Sequence, residues 1–248
     1  MIVAEFIFRF HFNVSARGIN ARTERATTQT ESVVSSTEFL KSCDPVLGDA
    51  IRRVGPLEDQ AGSGDHFAAL CHIILGQQLS VASARAIRGR FETHFGAKPD
   101  AAKVLDLSDD DAKTLGLSGA KARYLRDLAA HICEGKLEIA RLEQLSDDQI
   151  REELVAVKGI GQWSVDMFLM FHLNKPDVLP VGDLGIREAF KRLYCLDERP
   201  DAVRMEQLSA PWRPHRTLAC RYLWRFLDLP ASPAVQQREH GTPQTSAS

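Results

Sequence analysis

The segment LVAVKGIGQWSVDMFLMFHLNKPDVLPVGDLGIREAF, residues 154–190, carries the pattern that decides the fold. Two apolar runs without strand-like alternation flank the short turn KGIG, so each run is typical of a helix. A proline-bearing loop follows, and a single carboxylate, Asp183, stands directly before LGIREAF. The segment therefore predicts two helices joined by a tight turn, then a loop, then a third helix that begins beside Asp183.

Two glycines define the turn. Gly159 and Gly161 bracket Ile160, and glycine permits both a positive φ and a close approach of the backbone to a partner. The helix after the turn would begin with N–H groups that no side chain caps, which suits a phosphate oxygen, and Lys158 adds a positive charge beside them. The same turn also fits an ordinary αα-hairpin, so the turn alone leaves both interpretations open.

Helix signals continue along most of the chain. Asp44 stands before Pro45, Ser80 precedes another helical run, and Ser146 lies three residues before Gln149 in a capping-box spacing. No alternating strand pattern follows residue 36, and no internal repeat occurs. We therefore predict an all-α fold of about ten short helices.

Composition and charge narrow the class of protein. The chain has 248 residues, 44% of them hydrophobic and 26% charged, with a net charge of −2. It is long enough to bury a sizeable core, and its charge disfavours a globally basic DNA binder without excluding one basic face. The five cysteines form no CxxC pair, which disfavours a disulfide framework or a zinc site and favours a reduced cytoplasm. No apolar run has transmembrane length, and the first residues lack the pattern of a signal peptide.

The ends of the chain differ from its centre. Residues 1–36 include a long polar, aperiodic stretch and are predicted to be a mobile or atypical N-terminal extension. Residues 37–229 hold the helical signals and are predicted to form the folded domain. Residues 230–248 are predicted to be a disordered tail.

Five stretches of this domain resemble the helix-hairpin-helix (HhH-GPD) superfamily of DNA glycosylases, and within it the AlkA-like 3-methyladenine DNA glycosylases. They are LVAVKGIGQWSV, VGDLGIREAF, ILGQQLSVASARAI, GLSGAKARYLRDLA and PWRPHRTLACRYLW. The resemblance implies a two-lobed helical bundle with the hairpin at the cleft between the lobes. Residues 37–65 and 175–229 would form lobe one, and residues 66–174 would form lobe two.

Asp183 has two compatible interpretations. An aspartate at the start of a helix is usually an N-cap, and the resemblance implies that Asp183 is also the family's catalytic carboxylate. Breaking an N-glycosidic bond builds positive charge on the deoxyribose. A carboxylate near C1′ stabilises that charge and can orient or deprotonate the attacking water. A cap position suits this task because backbone N–H donors hold the side chain in place.

Position 163 bears on the mechanism. In bifunctional relatives a lysine stands two residues after the second hairpin glycine and forms a Schiff base with the sugar, whereas here that residue is Trp163. The resemblance therefore implies a monofunctional enzyme, in which water hydrolyses the bond and an abasic site remains. The C-terminal cysteine quartet of endonuclease III-like relatives is missing, so we predict no iron–sulfur cluster and no required cofactor.

The resemblance also implies which residues take up a base that has been flipped out of the duplex. The base pocket is predicted at Trp163, Trp212, Met167 and Leu184, and the DNA wedge at Gln78 with Gln77 and Leu79. An indole face attracts a cationic, N-alkylated purine, although tryptophans in helical proteins usually lie in the core. The two glutamines fit an exposed loop pair equally well, and a polar wedge could hydrogen-bond the widowed base.

Contacts to the DNA backbone are predicted at Lys158, Gly159, Ile160, Gly161 and Arg213. Further candidates are Lys121, Arg123 and Arg216, although charged helix residues usually form only a solvated face. The backbone carbonyls of Val155, Val157 and Ile160 correspond to a family site for a structural monovalent cation, Na⁺ or K⁺, and carbonyl oxygens suit such hard ions.

The predicted function is a monofunctional DNA glycosylase of base excision repair. It would remove alkylated purines, such as 3-methyladenine and 7-methylguanine, from double-stranded DNA. Two alternatives stay open: a glycosylase for another damaged base, and a non-catalytic helix-hairpin-helix DNA-binding protein. The second alternative would require neither Asp183 nor an aromatic pocket. We expect a cytoplasmic monomer without membrane contact.

Overall fold

The fold is helical in all the parts of the chain that are described. A computed structural model describes residues 35–57 and 64–230, and in these ranges it contains helices and no strand. The α-helices are α1 (35–43), α2 (Pro45–Val54), α3 (His66–Gly76), α4 (Val81–Phe95), α5 (Ala101–Leu105), α6 (Asp109–Leu115), α7 (Gly119–Cys133), α8 (Asp147–Val155), α9 (Gln162–Phe171), α10 (Leu184–Leu193), α11 (Ala202–Ser209) and α12 (Arg216–Asp228). Short 3-10 helices cover Ile139–Gln144 and Ala210–Trp212. The predicted all-α class is confirmed.

The predicted terminal segments lie mostly outside the described residues, which begin at residue 35 and end at residue 230. Residues 35 and 36 already belong to α1, so the prediction that the extension runs to residue 36 is wrong at its end. The reason is packing, because Leu40 on α1 is 0% exposed and orders the helix around it. Thr37 adds a hydrogen bond of 3.4 Å to the hydroxyl of Tyr222.

The predicted helix starts are confirmed at their N-caps. The Asp44 carboxylate accepts two backbone N–H groups of α2, at 3.0 Å each. Ser146 and Gln149 form the reciprocal capping box at α8, and Ser80 caps α4. Each such cap contributes about 1 kcal/mol to stability, so the helix boundaries follow from local side-chain chemistry.

The helices pack mainly in two groups. Helices α2, α10 and α12 contact one another, whereas α3 contacts α4, α7 and α9. In the second group α5 and α6 also pack on α7, and α8 packs on α9. Helix α3 reads HFAALCHIILG and is apolar on nearly every side, which explains its central place. One continuous hydrophobic cluster runs through both groups.

The loop between α9 and α10 is fastened to the start of α12. Arg216 donates to both carboxylate oxygens of Asp177, at 2.8 and 3.0 Å, and is only 6% exposed. Thr217 donates from its hydroxyl to the Lys175 carbonyl at 2.6 Å and accepts the Val178 N–H at 3.0 Å. Burial raises the pKa of Asp177, but the bonds and charge of Arg216 outweigh it and hold that pKa below its ordinary value. These contacts fasten residues 175–178 of the loop to the first residues of α12.

Helix length also bears on membrane contact. The 15-residue helices α4 and α7 are shorter than the roughly 20 apolar residues that span a bilayer. Within the described residues, no helix combines the length and apolar character needed to cross a membrane.

Candidate active site

The two glycines of the hairpin turn have different roles. Gly159 lies at φ +86°, and a Cβ atom added there would come within 2.2 Å of the Tyr124 ring. Gly161 lies at φ −97°, which any residue adopts, and among the described residues a Cβ atom there would meet nothing within 4 Å beyond its own chain neighbours. Backbone conformation and packing against α7 therefore require Gly159. Gly161 leaves open space beside the start of α9.

Side chains from two other helices hold the hairpin in place. Asp127 on α7 accepts the backbone N–H of Lys158 at 2.8 Å, while the Lys158 ammonium stays 81% exposed and 3.7 Å from the same carboxylate. At the end of α3, the Gln77 amide donates to the Gly159 carbonyl at 2.8 Å and to the Ser164 hydroxyl at 3.1 Å. Side chains on both sides of the turn therefore form hydrogen bonds to its backbone.

Among the described helices α2 to α12, α9 and α12 begin without a side-chain cap from their N-cap residue. Helices α2 to α8, α10 and α11 each have an Asp or Ser N-cap whose side chain accepts a backbone N–H. The N-cap of α9 is Gly161, which has no side chain to offer. Because the helix macrodipole also places partial positive charge at this end, the start of α9 is suited to an anion.

Asp183 is a buried carboxylate, 6% exposed, whose described hydrogen-bond donors are all N–H groups. Its Oδ1 accepts the Ile186 backbone N–H at 2.8 Å and the Trp224 indole N–H at 3.0 Å. Its Oδ2 accepts the Trp163 indole N–H at 2.7 Å. The predicted N-cap role is confirmed. Among residues 35–57 and 64–230, no Lys, Arg or His forms an ion pair with this carboxylate.

A second buried carboxylate lies on the hairpin helix and is paired with an arginine. Asp166 on α9 is 2% exposed and accepts hydrogen bonds from Arg151 at 3.1 Å and from Gln162 at 3.2 Å. Burial raises the pKa of Asp166, those two donors oppose the shift, and the charge of Asp183 adds to it. Because Arg151 pairs with Asp166, the carboxylate of this region that no cation pairs among the described residues is that of Asp183.

The sequence pattern of the HhH-GPD superfamily of base excision DNA repair proteins matches residues 71–214, more than half of the chain. The chain belongs to this superfamily. The matched residues include the hairpin, Asp183 and the loop between α3 and α4, but they end before Trp224.

Similar HhH-GPD proteins among curated sequences carry the name DNA-3-methyladenine glycosylase. The chain is 33% identical over 162 residues to the putative DNA-3-methyladenine glycosylase YfjP of Bacillus subtilis, covering 62% of this chain and 56% of that protein. It is 32% identical over 166 residues to DNA-3-methyladenine glycosylase 1 of Schizosaccharomyces pombe, covering 66% of this chain and 73% of that protein. The chain thus spans only a little more than half the length of YfjP.

Solved structures of HhH-GPD proteins share the fold. The 3-methyladenine DNA glycosylase Mag1 of S. pombe, in complex with abasic DNA, has a TM-score of 0.72 at 28% identity, covering 80% of this chain and 98% of that chain. A DNA-3-methyladenine glycosidase from Bacillus halodurans has a TM-score of 0.67 at 32% identity, covering 82% of this chain and 91% of that chain.

Trp224, which sequence reasoning missed, is the tryptophan of the C-terminal motif that reaches Asp183 in this HhH-GPD protein. Trp212 is 0% exposed, donates its indole N–H to Asp44 at 2.9 Å and stacks on Phe190 with a centroid separation of 5.1 Å. The prediction that Trp212 lines the base pocket is therefore wrong. Both tryptophans occur in PWRPHRTLACRYLW, and only the packing of α12 against α10 decides between them.

The remaining predicted pocket residues divide by exposure. Met167 is 1% exposed in the apolar helix α9, and its role as a pocket residue stays a prediction. Leu184 is 62% exposed and directly follows Asp183, while Trp163 is half-buried and bonds to the same carboxylate. Trp163 and Leu184 thus remain candidates for contact with a base.

The three predicted wedge residues lie in different environments. Gln78 is exposed and has a φ of +56°, unusual for a residue other than glycine. Leu79 is partly buried against the core. The prediction that Gln77 belongs to the wedge is wrong, because both of its described bonds point to the hairpin.

Several basic residues that were candidates for phosphate contacts serve the fold instead. Lys121 is buried and donates to the Leu75 carbonyl at 2.6 Å, and burial lowers its pKa to about 8. Arg216 is buried against Asp177, as described above. Arg213 is half-exposed but bonds to Asp177 at 2.7 Å and to Glu206 at 3.3 Å. A phosphate could bind Arg213 only in competition with these carboxylates.

The turn also offers carbonyl oxygens, although within the described residues no three His, Cys, Asp or Glu side chains group as a metal site. Val155 ends α8, and Val157 and Ile160 lie in the turn. The Val157 carbonyl accepts the Ile160 N–H at 3.1 Å, which leaves its second lone pair for another partner.

Proposed function

We propose that this protein is a monofunctional DNA glycosylase that hydrolyses the N-glycosidic bond of alkylated purines in double-stranded DNA and leaves an abasic site. The observation that carries the proposal is the geometry at Asp183, a buried carboxylate held by N–H donors close to the hairpin helix. The substrate class is supported by relatives named DNA-3-methyladenine glycosylase and by the likeness to a glycosylase in complex with abasic DNA.

Asp183 would stabilise the positive charge that develops on the deoxyribose. Two unit charges 4 Å apart attract by about 4 kcal/mol at an effective dielectric constant of 20, against about 1 kcal/mol in water. Oδ1 already accepts two hydrogen bonds and Oδ2 accepts one, so Oδ2 has the free lone pair that can face C1′ or the attacking water. The N–H donors hold the carboxylate before the reaction, which lowers the cost of reorganisation.

The monofunctional mechanism rests on the residue at position 163. The indole of Trp163 stands where bifunctional relatives carry their lysine, and its N–H bonds to Asp183. An indole cannot form a Schiff base with the sugar, so water is the nucleophile. The strand should therefore stay intact until alkali or a separate lyase cleaves the abasic site.

The leaving base would need no protonation by the protein. The described partners of Asp183 are indole and backbone N–H groups, which do not give up a proton at neutral pH. A 3- or 7-alkylated purine is already cationic and leaves as a neutral base. Its charge is attracted by indole faces and by the carboxylate of Asp183, so this site favours alkylated purines over neutral lesions.

The hairpin would bind the DNA backbone beside the flipped nucleotide. The N–H groups at the start of α9 can donate to a phosphate, the open space at Gly161 admits it, and the exposed Lys158 adds charge. A monovalent cation on the carbonyls of Val155, Val157 and Ile160 could add a further contact. Gln78 would enter the duplex where the nucleotide has left.

The test is release of bases from a methylated duplex. Wild-type protein should release 3-methyladenine or 7-methylguanine, detected by chromatography, and Asp183→Asn should slow release about 100-fold or more because it removes the charge at nearly constant size. Asp197→Asn, at an exposed position, is the matched control and should behave as wild type. Borohydride should trap no covalent protein–DNA adduct.

Other outcomes would select the alternatives. If wild type and Asp183→Asn both bind abasic duplex but neither releases a base, the protein is a DNA-binding module. If the wild type releases only deaminated or oxidised bases, the enzyme is a glycosylase for another lesion. A trapped adduct would overturn the monofunctional mechanism.

A further inference from the structure

We propose that Gln77 is a positioning residue that couples the loop carrying Gln78 to the hairpin. The side chain that enters the duplex and the turn that binds the phosphate would then act as one rigid unit. The inference rests on the proposed function, since it takes damaged DNA as the ligand.

The side-chain amide of Gln77 forms the link. Gln77 is the C-cap residue of α3, and its Nε2 donates to the Gly159 carbonyl at 2.8 Å and to the Ser164 hydroxyl at 3.1 Å. One acceptor lies in the turn, and the other lies in the first turn of α9, where Ser164 is 3% exposed. One amide thus bonds to both parts of the hairpin across a sequence separation of more than 80 residues.

The loop is also anchored on its other sides. Lys121 on α7 donates to the Leu75 carbonyl, just before the loop, at 2.6 Å. Ser80 ends the loop and caps α4 by accepting the Ser83 N–H at 3.3 Å. Between these anchors Gln78 lies at φ +56° and is exposed. A non-glycine residue keeps such a conformation only where its surroundings over-determine it, and Gln77 supplies the anchor nearest to Gln78.

Loss of the Gln77 amide should therefore weaken binding to damaged DNA but not binding to intact duplex. Without it, Gln78 can relax towards negative φ and change the direction of its side chain. The turn itself keeps the Tyr124 ring beneath Gly159 and the Asp127 bond to the Lys158 N–H. Binding to intact duplex, which needs only the backbone contacts, should stay the same, and the preference for a duplex with a gap in its base stack should fall.

The experiment measures dissociation constants of full-length protein for intact duplex and for the same duplex with a tetrahydrofuran abasic-site analogue. Gln77→Met removes the donors at similar size and should lower the preference for the abasic duplex about tenfold, as expected for two hydrogen bonds near 0.7 kcal/mol each. Its affinity for intact duplex should stay within about twofold of wild type, well below that tenfold effect. The exposed residue Gln207 supplies the control Gln207→Met, which should change neither constant.

A double-mutant cycle with Gln78→Ala decides whether Gln77 acts through Gln78. The double variant should show no lower preference than Gln78→Ala alone. Additive losses, or an equal loss of affinity for both duplexes, would mean that Gln77 only supports the fold and would overturn the proposal. If Gln77→Met lowers the unfolding midpoint below the assay temperature, Ser164→Ala, which removes one acceptor without a clash, replaces it in the same cycle.

Base release by the wild type separates this inference from the proposed function. A wild type that prefers the abasic duplex but excises nothing would refute the glycosylase activity and leave the coupling intact if the cycle is non-additive. A wild type that excises, together with a Gln77→Met variant of unchanged preference, would refute the coupling alone.

Discussion

Replacement of Gly159 by alanine tests the packing beneath the hairpin. The added Cβ atom would lie 2.2 Å from Cγ and 2.3 Å from Cδ2 of Tyr124, so the ring or the turn must move. Overpacking of this kind costs about 1–3 kcal/mol, and the left-handed conformation costs a residue other than glycine about 1–2 kcal/mol. Gly159→Ala should therefore lower the free energy of unfolding by about 2–5 kcal/mol, measured by urea denaturation.

Gly161→Ala is the matched control two residues away. Its φ of −97° suits alanine, and among the described residues its Cβ atom would meet nothing within 4 Å beyond its chain neighbours. The free energy of unfolding should therefore stay the same or rise by about 0.4–1 kcal/mol. If a phosphate approaches the start of α9, the methyl group would obstruct it. Affinity for duplex DNA, measured by fluorescence anisotropy, should then fall although the protein is as stable as wild type.

The two variants distinguish a glycine that packing requires, Gly159, from a glycine that leaves room for a phosphate, Gly161. An unfolding free energy of Gly159→Ala within about 0.5 kcal/mol of wild type, the usual range for a harmless surface change, would refute the packing argument. In a cycle with Tyr124→Ala the two losses should be non-additive, because the clash disappears with the ring. Unchanged DNA affinity of Gly161→Ala would show that the phosphate does not approach at this glycine.

Buried side chains make two further predictions. Trp224→Phe removes an N–H donor to Asp183, worth about 1.5–3 kcal/mol for a charged acceptor, so single-turnover excision should slow about ten- to hundredfold. Trp212→Phe should instead lower the unfolding free energy by about 1–3 kcal/mol and leave the excision rate of the folded protein unchanged. Equal slowing of excision by both variants would contradict the assignment of Trp224 to the site and of Trp212 to the core. Burial and the nearby His66 lower the pKa of His172 from 6.5 to about 4. As the pH falls, the unfolded chain therefore binds a proton at His172 before the folded chain does. The free energy of unfolding falls as the pH drops from 6.5 to 4. His172→Gln should flatten that part of the pH dependence of urea unfolding, and an unchanged slope would assign it to other groups.

Much of the fold could be predicted from the sequence because it depends on contacts between residues that are close together in the chain. The caps at Asp44, Ser146 and Asp183 each bond within three residues of themselves, so a short stretch of sequence contains both partners. The same holds for the all-helical class, because apolar periodicity acts along one helix at a time. The hairpin turn and the position of Asp183 before α10 follow from residues 154–190 alone.

Contacts between distant segments required the tertiary structure. Trp224 and Asp183 are 41 residues apart and Gln77 and Gly159 are 82 apart, so their meeting depends on how whole helices cross. Periodicity shows that a tryptophan or a glutamine lies on one face of a helix but not which neighbour covers that face. For this reason the sequence predicted the local N-cap role of Asp183, but the prediction of the site chose Trp212 instead of Trp224 and counted Gln77 with the wedge.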